Sequence, residues 1–407
     1  MLARRPLLRA AALDDRRPGR ARRARTRLTG QTQAIAPASA RTPAQLVFLA
    51  AQSVAAAVLA ARFARGRRRR APLAPGAPPP EGTVSIVIPA RDEEARLAPC
   101  LRALRDVGAE VLVVDDRSTD ATAQLARAHG VGVVQGAELP AGWVGKSWAM
   151  QQGLEAATGD WVLFLDADTR PKPGLIAALI AAAAPYDLLS AAPRFVCESA
   201  AERLLHPAMA ATLPYRTGPL DVDGWQPSPR RALANGQCVV VRREPFEAAG
   251  GWARVRGNLS EDIALARSLR ADGARIGFAD AADLLEVRMY TTARETWTGW
   301  GRSLMGSGAT GPLQQSADVA LLWLTFALPL PRLVSRRGTW LDALLLAVRL
   351  AIHVALARAY AQPRGLPYAL SPLADLPVTA WLTWNALRPS ATWRGRTYER
   401  SGRGEVR

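Results

Sequence analysis

Two aspartates, Asp166 and Asp168, directly follow a run of five apolar residues, Trp161–Leu165. Such an unbroken run is typical of a strand that is buried on both faces of a sheet. Carboxylates at the end of a buried strand suit a divalent cation, because hard cations take oxygen ligands and share them with substrate phosphates. A solvated turn that ends the strand explains the same pair. The spacing therefore predicts a site for Mg²⁺ or Mn²⁺, with the turn as the alternative.

Other polar residues in similar positions can complete such a site. Asp115 and Asp116 end a second apolar run, where they can accept hydrogen bonds from a base or a ribose. Lys146 follows a glycine-bearing loop at a predicted helix start and can reach a phosphate. Asp262 lies in the first turn of another predicted helix, where the helix dipole favours an ionised carboxylate that can act as a base. Ordinary helix capping by Glu261 and Asp262 is the alternative.

The elements that must position these residues alternate regularly along the chain. Strands are followed by helices with short links, which predicts βα units in a mainly parallel sheet whose strand ends meet at one edge. The second half of this region is less regular. The predicted strands are 84–89, 111–114, 131–134, 161–165, 187–196, 235–242 and 275–279, and the predicted helices are 95–107, 121–129, 147–157, 199–212, 244–249 and 260–271.

Composition narrows the class of protein. The chain has 407 residues and a net charge of +18, and Lys146 and Lys172 are its only lysines. No groove-reading or aromatic motif accompanies the arginines, which argues against nucleic acid as a partner. The arginines instead cluster beside apolar segments, as expected at an anionic membrane surface. Three scattered cysteines and three scattered histidines predict neither a disulfide framework nor a zinc site.

Two long apolar segments indicate a membrane. Residues 42–61 contain no charge and are long enough to cross a bilayer, with a buried or interfacial helix as the alternative. A second segment, 340–361, carries Asp342, Arg349 and His353, which share one helical face. A membrane helix with this face turned inward fits the pattern, and an amphipathic surface helix fits it as well.

Taken in order, the motifs resemble family 2 glycosyltransferases over about residues 84–289. The resemblance implies an α/β GT-A fold, a Rossmann-like mixed sheet that binds a nucleotide sugar, flanked by transmembrane or membrane-interfacial helices. It also implies an inverting single displacement, a UDP- or GDP-sugar donor and a divalent cation. The matching segments are 84–89, 113–120, 142–146, 164–168, 250–252 and 260–262.

Residue roles follow from the resemblance by position. Asp115 and Asp116 would bind the nucleotide, Asp168 would hold the metal, and Asp166 would contact the metal or the ribose. Asp262 would be the catalytic base. The remaining expected substrate-binding residues are Pro89, Ala90, Arg91, Glu93, Lys146, Ala167 and Glu261.

The layout of the chain is similar to the lipid branch of this family, which includes hopanoid-associated, carotenoid and ceramide glycosyltransferases. This implies transfer of a hexose to a lipid hydroxyl at a bacterial inner membrane, with the catalytic domain facing the cytoplasm. The Gln-x-x-Arg-Trp motif of processive and ceramide-type members is incomplete here, because residues 295–300 keep only the tryptophan. That departure favours transfer of a single sugar, and Arg302 is a candidate for the missing cation.

Other interpretations remain open at this point. The acceptor can be a polysaccharide or a polyprenyl-linked sugar. A nucleotidyltransferase would need a basic loop near the first strand, where Arg91 stands beside Glu93 and Glu94. A non-catalytic membrane protein on the same fold is a further alternative. Asn235 and Gln237 are expected either to line the acceptor pocket or to satisfy backbone groups.

The resulting domain prediction has seven parts. They are a disordered basic arm over 1–41, a transmembrane helix over 42–62, a basic and Pro-rich linker over 63–82, the GT-A domain over 83–290, an interfacial segment on the acceptor side over 291–315, membrane helices over 316–388 and a cytoplasmic basic tail over 389–407.

Overall fold

The computed structural model describes residues 42–78, 81–304, 310–388, 390–393 and 396–399, without the side chains of Arg302 and of the last two segments. The predicted basic arm, much of the predicted tail and the Arg302 side chain thus lie outside the described structure. Of the described residues, 42–46 belong to one unit, and those from Val47 onward belong to a second, compact unit. In the first unit, the amide of Gln45 donates to the Thr42 hydroxyl over 3.3 Å at a helix start.

Fourteen α-helices are described. In chain order they are α1 (Pro43–Ala64), α2 (Glu94–Ala103), α3 (Thr122–Ala128), α4 (Gly145–Ala156), α5 (Leu175–Ala183), α6 (Ala200–Thr217), α7 (Arg243–Ala248), α8 (Glu261–Ala271), α9 (Ala293–Ser303), α10 (Pro312–Leu322), α11 (Pro329–Val334), α12 (Trp340–Ala355), α13 (Gly365–Ala369) and α14 (Asp375–Leu387).

Twelve strands accompany them in the same segments. They are β1 (Val84–Ala90), β2 (Glu110–Asp115), β3 (Gly132–Gln135), β4 (Trp161–Leu165), β5 (Thr169–Pro171), β6 (Leu188–Ala192), β7 (Arg194–Phe195), β8 (Cys238–Arg242), β9 (Ile276–Asp280), β10 (Leu285–Val287), β11 (Ser390–Trp393) and β12 (Arg396–Glu399).

Seven of the strands form the central sheet, in the order β3-β2-β1-β4-β8-β6-β9. Strand β8 runs antiparallel to both of its neighbours, and the other pairs are parallel. The predicted α/β class with a mixed, mainly parallel sheet is therefore confirmed. A smaller sheet, β5-β10-β7, begins directly after Asp168.

Helices cover both faces of the central sheet because its middle strands are apolar on both sides. Along β1, Ile86 and Ile88 pack into one core cluster with α2 and α5, and Val87 packs into another with α4 and α8. Helix α4 approaches β1 closely at Gly153, where a Cβ atom would lie 2.2 Å from Val87 Cγ1. This close contact holds the last turn of α4 against the sheet, and Lys146 lies in the first turn of the same helix.

Within residues 84–303, four elements were not expected and two others were merged. β5, α5, β10 and α9 were not expected; α5 is apolar all round, so its sequence has no helical period. The single strand expected over 187–196 is divided at Pro193 into β6 and β7. Proline has no amide hydrogen to donate to a neighbouring strand, which accounts for the interruption.

The C-terminal helices bury their polar residues and expose apolar ones. On α12, Asp342, Arg349 and His353 are 0%, 1% and 6% exposed, whereas Trp340 and Val354 are 71% and 72% exposed. A surface helix of a water-soluble domain has the opposite pattern. By length and composition, the helical stretches Pro43–Arg68 and Trp340–Ala359 could each cross a membrane.

Candidate active site

The ends of four central strands assemble one edge of the sheet. In the register of the parallel pair β1 and β2, Ala90 stands opposite Asp115, so both strands end together. Strand β8 is antiparallel to β4, so the segment before β8 adjoins the end of β4. There the amide of Asp166 donates to the carbonyl of Gln237 over 3.1 Å. Parallel winding thus brings separate sequence motifs to one place, as expected for a ligand site.

Asp262 is held by two backbone amides at the start of α8. The amides of Gly236 and Ile263 donate to its two carboxylate oxygens, each over 2.8 Å. Burial raises the pKa of Asp262, and Lys146 and the two amides lower it by less. The helix start does favour the ionised form as expected, but burial has the larger effect. The result is a fixed carboxylate that binds a proton more readily than a free aspartate.

Lys146 links the residue that follows β4 to the helix that carries Asp262. Its ammonium lies 2.7 Å from Asp166 Oδ1 and 3.2 Å from Glu261 Oε1. Burial lowers the pKa of Lys146, but the two carboxylates raise it by more, so the side chain stays charged. Burial raises the pKa of Glu261 to about 7 even though Lys146 acts against that shift. Lys146 was expected to meet a phosphate; here it bridges two carboxylates.

Asp168 has the features of a cation ligand. Its Oδ1 atom is buried without a hydrogen-bond partner in the described part of the chain. Burial, followed by the nearby Asp166 and Glu93 carboxylates, raises the pKa of Asp168 to about 8. A divalent cation would relieve that excess of negative charge. The described residues contain no cluster of three ligating side chains, so the ion would take further ligands from substrate phosphates and water, as Mg²⁺ commonly does.

These residues line a cavity of about 760 Å³, a size typical of ligand sites. Among the described residues, its wall carries nine carboxylates and five cationic side chains. That balance is opposite in sign to the net charge of the whole chain, +18. An anionic ligand would enter such a cavity more readily with a compensating cation, which agrees with the features of Asp168.

All but one of the predicted site residues line this cavity. The exception is Asp115, whose carboxylate accepts bonds from the Ser118 amide over 3.2 Å and from the Gln135 side chain over 3.0 Å. Asp115 is the last residue of β2 and Asp116 the first residue after it, and only Asp116 lines the cavity. The predicted residues in the wall are Pro89, Ala90, Arg91, Glu93, Asp116, Lys146, Asp166, Ala167, Asp168, Glu261 and Asp262.

The part of the cavity beside the ends of β1 and β2 contains an arginine contact that the sequence did not reveal. Arg91 Nη1 donates to the backbone carbonyl of Asp116 over 2.8 Å and lies 3.6 Å from its carboxylate. Arg96, on α2, also lines the cavity and lies 3.8 Å from Glu295 of α9. Arg96 follows Glu93 at helical spacing, which was the available signal for it.

Residues with two open interpretations are now placed. Asn235 and Gln237 line the cavity, and Asn235 also satisfies a backbone group by donating to the carbonyl of Ala191 over 3.1 Å; the acceptor-binding role of both residues stays a prediction. Trp252 is fully buried against Phe164, with ring centroids 5.1 Å apart, and belongs to the core.

The sequence of this region matches a known family. The model of glycosyl transferase family 2 matches residues 85–249. This segment contains Lys146, Asp166 and Asp168 and ends before Asp262. The predicted resemblance to this family is therefore confirmed over residues 85–249, and the predicted class of fold is confirmed as well.

Individual relatives are more distant. The chain is similar to 4,4'-diaponeurosporenoate glycosyltransferase of Staphylococcus aureus strain USA300, with 28% identity over 250 residues. The match covers 59% of this chain and 65% of the relative, so the chain spans somewhat less than two thirds of that protein's length.

Two solved structures are similar at lower identity. One is a mannosyltransferase, PcManGT, from Pyrobaculum calidifontis in complex with GDP-Man and Mn²⁺, with 18% identity, a TM-score of 0.43, and coverage of 81% of this chain and 97% of that one. The other is glucosyl-3-phosphoglycerate synthase from Mycobacterium tuberculosis with Mn²⁺, UDP and glucosyl-3-phosphoglycerate, with 20% identity, a TM-score of 0.38, and coverage of 61% and 82%.

Proposed function

We propose that this protein is a membrane-associated inverting glycosyltransferase that transfers one hexose from a UDP- or GDP-sugar to a hydroxyl group on a lipid. The observation that carries the proposal is the pairing of Asp262 with Asp168 on one cavity in a chain with a family 2 domain. One carboxylate is fixed by two amides, and the other has an oxygen without a partner in the described structure. The S. aureus relative, named for a carotenoid acid, supports an apolar acceptor.

The chemistry follows from the two ends of this arrangement. The acceptor hydroxyl oxygen attacks the anomeric carbon and forms a new C–O bond. The bond between that carbon and the diphosphate oxygen breaks, and the nucleoside diphosphate leaves with the electron pair. A carboxylate of Asp262 takes the hydroxyl proton. Its raised pKa makes this transfer more favourable, since a stronger base accepts the proton earlier in the reaction.

Asp168, with Asp166, would hold a divalent cation. When bound, such an ion neutralises charge on the departing diphosphate. Lys146 keeps Asp166 at a fixed distance from Glu261, and thereby fixes the donor end of the cavity relative to the helix that carries Asp262.

Membrane association is supported by the two candidate spans and by the inverted polarity of α12. Ionisable residues of a membrane helix face the protein interior, as Asp342, Arg349 and His353 do. We assign the protein to a bacterial inner membrane with the catalytic domain on the cytoplasmic side, where nucleotide sugars are available.

The test is transfer of labelled sugar into membrane lipid extract. UDP-glucose, UDP-galactose, UDP-N-acetylglucosamine and GDP-mannose are each supplied with Mn²⁺ or Mg²⁺, and label in the organic phase is counted. We expect Asp262→Asn to reduce transfer roughly a thousandfold, the usual worth of a general base, without weakening donor binding. Asp272→Asn, at the exposed end of the same helix, serves as the matched control.

Each result has a distinct meaning. Full transfer of sugar by the Asp262→Asn variant would show that Asp262 is not the base. Donor binding that is independent of Mn²⁺ and Mg²⁺ would contradict the assignment of Asp168. If none of the four donors binds, the proposed function is wrong.

A further inference from the structure

The cavity that contains the carboxylates continues into an apolar arm. Away from the sheet, its wall is made of Phe63 on α1, Leu213 on α6, and Ile352 and Leu356 at the end of α12. Phe63, Ile352 and Leu356 also pack against the apolar cluster that joins these three helices. A hydrocarbon chain gains binding free energy by burying its surface against such a wall, whereas a nucleoside diphosphate does not.

The apolar arm reaches the outer surface beside α12. Ala355 lines the cavity and is itself exposed, so the arm opens at this position. The exposed neighbours on the same helix are apolar, with Leu350 at 46% and Val354 at 72% exposure. The opening therefore lies on a surface that suits lipid better than water.

Polar contacts of α1 hold the wall of the arm that carries Phe63 in place. Gln52 of α1 donates to Asp342 of α12 over 2.8 Å, and Arg62 of α1 donates to the carbonyl of Tyr215 over 2.7 Å. These two contacts are ten residues apart, or about 15 Å along the helix. Phe63 is next to the second contact and meets the Tyr215 ring edge-on, with centroids 6.0 Å apart. The arm thus has fixed walls in the described structure.

We propose that the apolar arm binds the long hydrocarbon chain of the acceptor, and that the acceptor enters sideways from the bilayer through the opening beside Ala355. Its hydroxyl then reaches Asp262 at the far end of the same cavity. This inference rests on the proposed function and specifies the acceptor class: an amphiphile whose hydroxyl group is attached to a long hydrocarbon chain. A short-chain alcohol would reach the same carboxylate but leave the arm empty.

The test compares octadecanol with hexanol as acceptors, using the full-length enzyme in detergent micelles with the donor that it accepts. Ala355→Trp places a large side chain at the opening. We expect its KM for octadecanol to rise roughly tenfold, the equivalent of about two methylene groups losing their burial. Its kcat/KM for hexanol and its hydrolysis of donor by water should change less than about twofold.

The matched control is Ala351→Trp, one turn earlier on α12. Ala351 is exposed but lies outside the cavity wall, so the same side chain there should leave both acceptors unaffected. If the Ala355→Trp protein fails to hydrolyse donor, Ala355→Leu replaces it as a smaller obstruction, with a smaller expected rise in KM for octadecanol alone.

The outcomes separate this inference from the proposed function. Equal losses with both alcohols, or no loss with either, would overturn the hydrocarbon channel. A wild-type enzyme that hydrolyses donor but transfers sugar to neither alcohol nor to membrane lipid would also overturn it, and would leave a glycosyltransferase of another acceptor class. A wild-type protein that does not bind donor would instead refute the proposed function itself.

Discussion

The sheet edge and the C-terminal helices bury charged residues in different ways. Among the helices, buried charges have opposite charges beside them: Arg349 meets Asp375 through two bonds of 2.7 and 2.9 Å, and Asp318 lies within 4 Å of Arg62 and Arg216. At the sheet edge, carboxylates outnumber cations. Balanced pairs of this kind hold helices together. The carboxylates at the sheet edge are not fully neutralised by the protein, so they favour binding of a cation. This difference distinguishes the candidate active site from structural ion pairs.

The sharpest test of the comparison is to remove one partner of the balanced pair. We expect Asp375→Asn to lower the free energy of unfolding by about 3 kcal/mol, because it leaves Arg349 buried without its counter-charge. Thermal unfolding in detergent measures this. The double variant Arg349→Met/Asp375→Leu should recover most of the loss. If the single variant is as stable as Asp223→Asn, an exposed control, the pair has no structural role.

Removing the ammonium group of Lys146 from the sheet edge should lower stability by less. We expect Lys146→Met to cost about 2 kcal/mol, between the values for exposed and for buried pairs, since this site opens to the cavity. Added Mn²⁺ should recover part of the loss, which no ion can do for Arg349. Lys172→Met is the matched control, because that lysine pairs with Glu286 at a more exposed position. Similar losses in both lysine variants would place Lys146 among ordinary surface ion pairs.

At Asp168 we expect a substitution to raise the stability of the metal-free protein instead of lowering it. Asp168→Asn removes a buried carboxyl group that is costly to ionise and has an oxygen without a partner in the described structure, so the metal-free protein should gain about 1 kcal/mol of stability while sugar transfer is lost. Mn²⁺ should raise the unfolding temperature of the wild type and not that of the variant. Thermal scans with Mn²⁺ and with a chelator measure both effects. A variant that is less stable than the wild type without metal would show that Asp168 is already satisfied by the protein.

The smallest expected effect concerns the support of Asp262. A Cβ atom on Gly236 would lie 3.2 Å from the Asp262 side chain, so Gly236→Ala should displace the carboxylate by a few tenths of an ångström and lower kcat about threefold. KM for the donor should stay constant. Gly311→Ala is the control, since a Cβ atom there would have no neighbour within 4 Å. Equal kcat values in the two variants would mean that this contact does not position the base.

The pattern of apolar and polar residues along the chain was enough to predict the sheet edge. It was not enough to predict the partners of individual side chains. The apolar runs before Asp116 and Asp168 identified strand ends, and parallel winding brought those ends together. Asp115 and Asp116 are neighbours in the motif but have different surroundings in the structure, which the sequence alone does not show. The partners of Lys146 come from β4 and α8, so only folding could reveal that it bridges carboxylates.

The apolar arm of the cavity was beyond any local pattern. Phe63, Leu213 and Ile352 lie far apart in sequence, and each looks like an ordinary core residue in its own helix. Their common function as a wall appears only when α1, α6 and α12 are packed together. The inward orientation of Asp342, Arg349 and His353 was accessible in part, because helical spacing showed their shared face but not the direction in which it points.

The bond between Arg349 and Asp375 also constrains how the chain is made. In the proposed membrane location, an unpaired arginine at the centre of a helix costs about 2.5–3.5 kcal/mol on entry into lipid. Its partner lies 26 residues later, so α12 leaves the ribosome before its counter-charge exists. Helix α12 should therefore wait at the translocon and enter the bilayer together with α14 as a hairpin. In a nascent chain truncated before Asp375, α12 should remain outside the lipid.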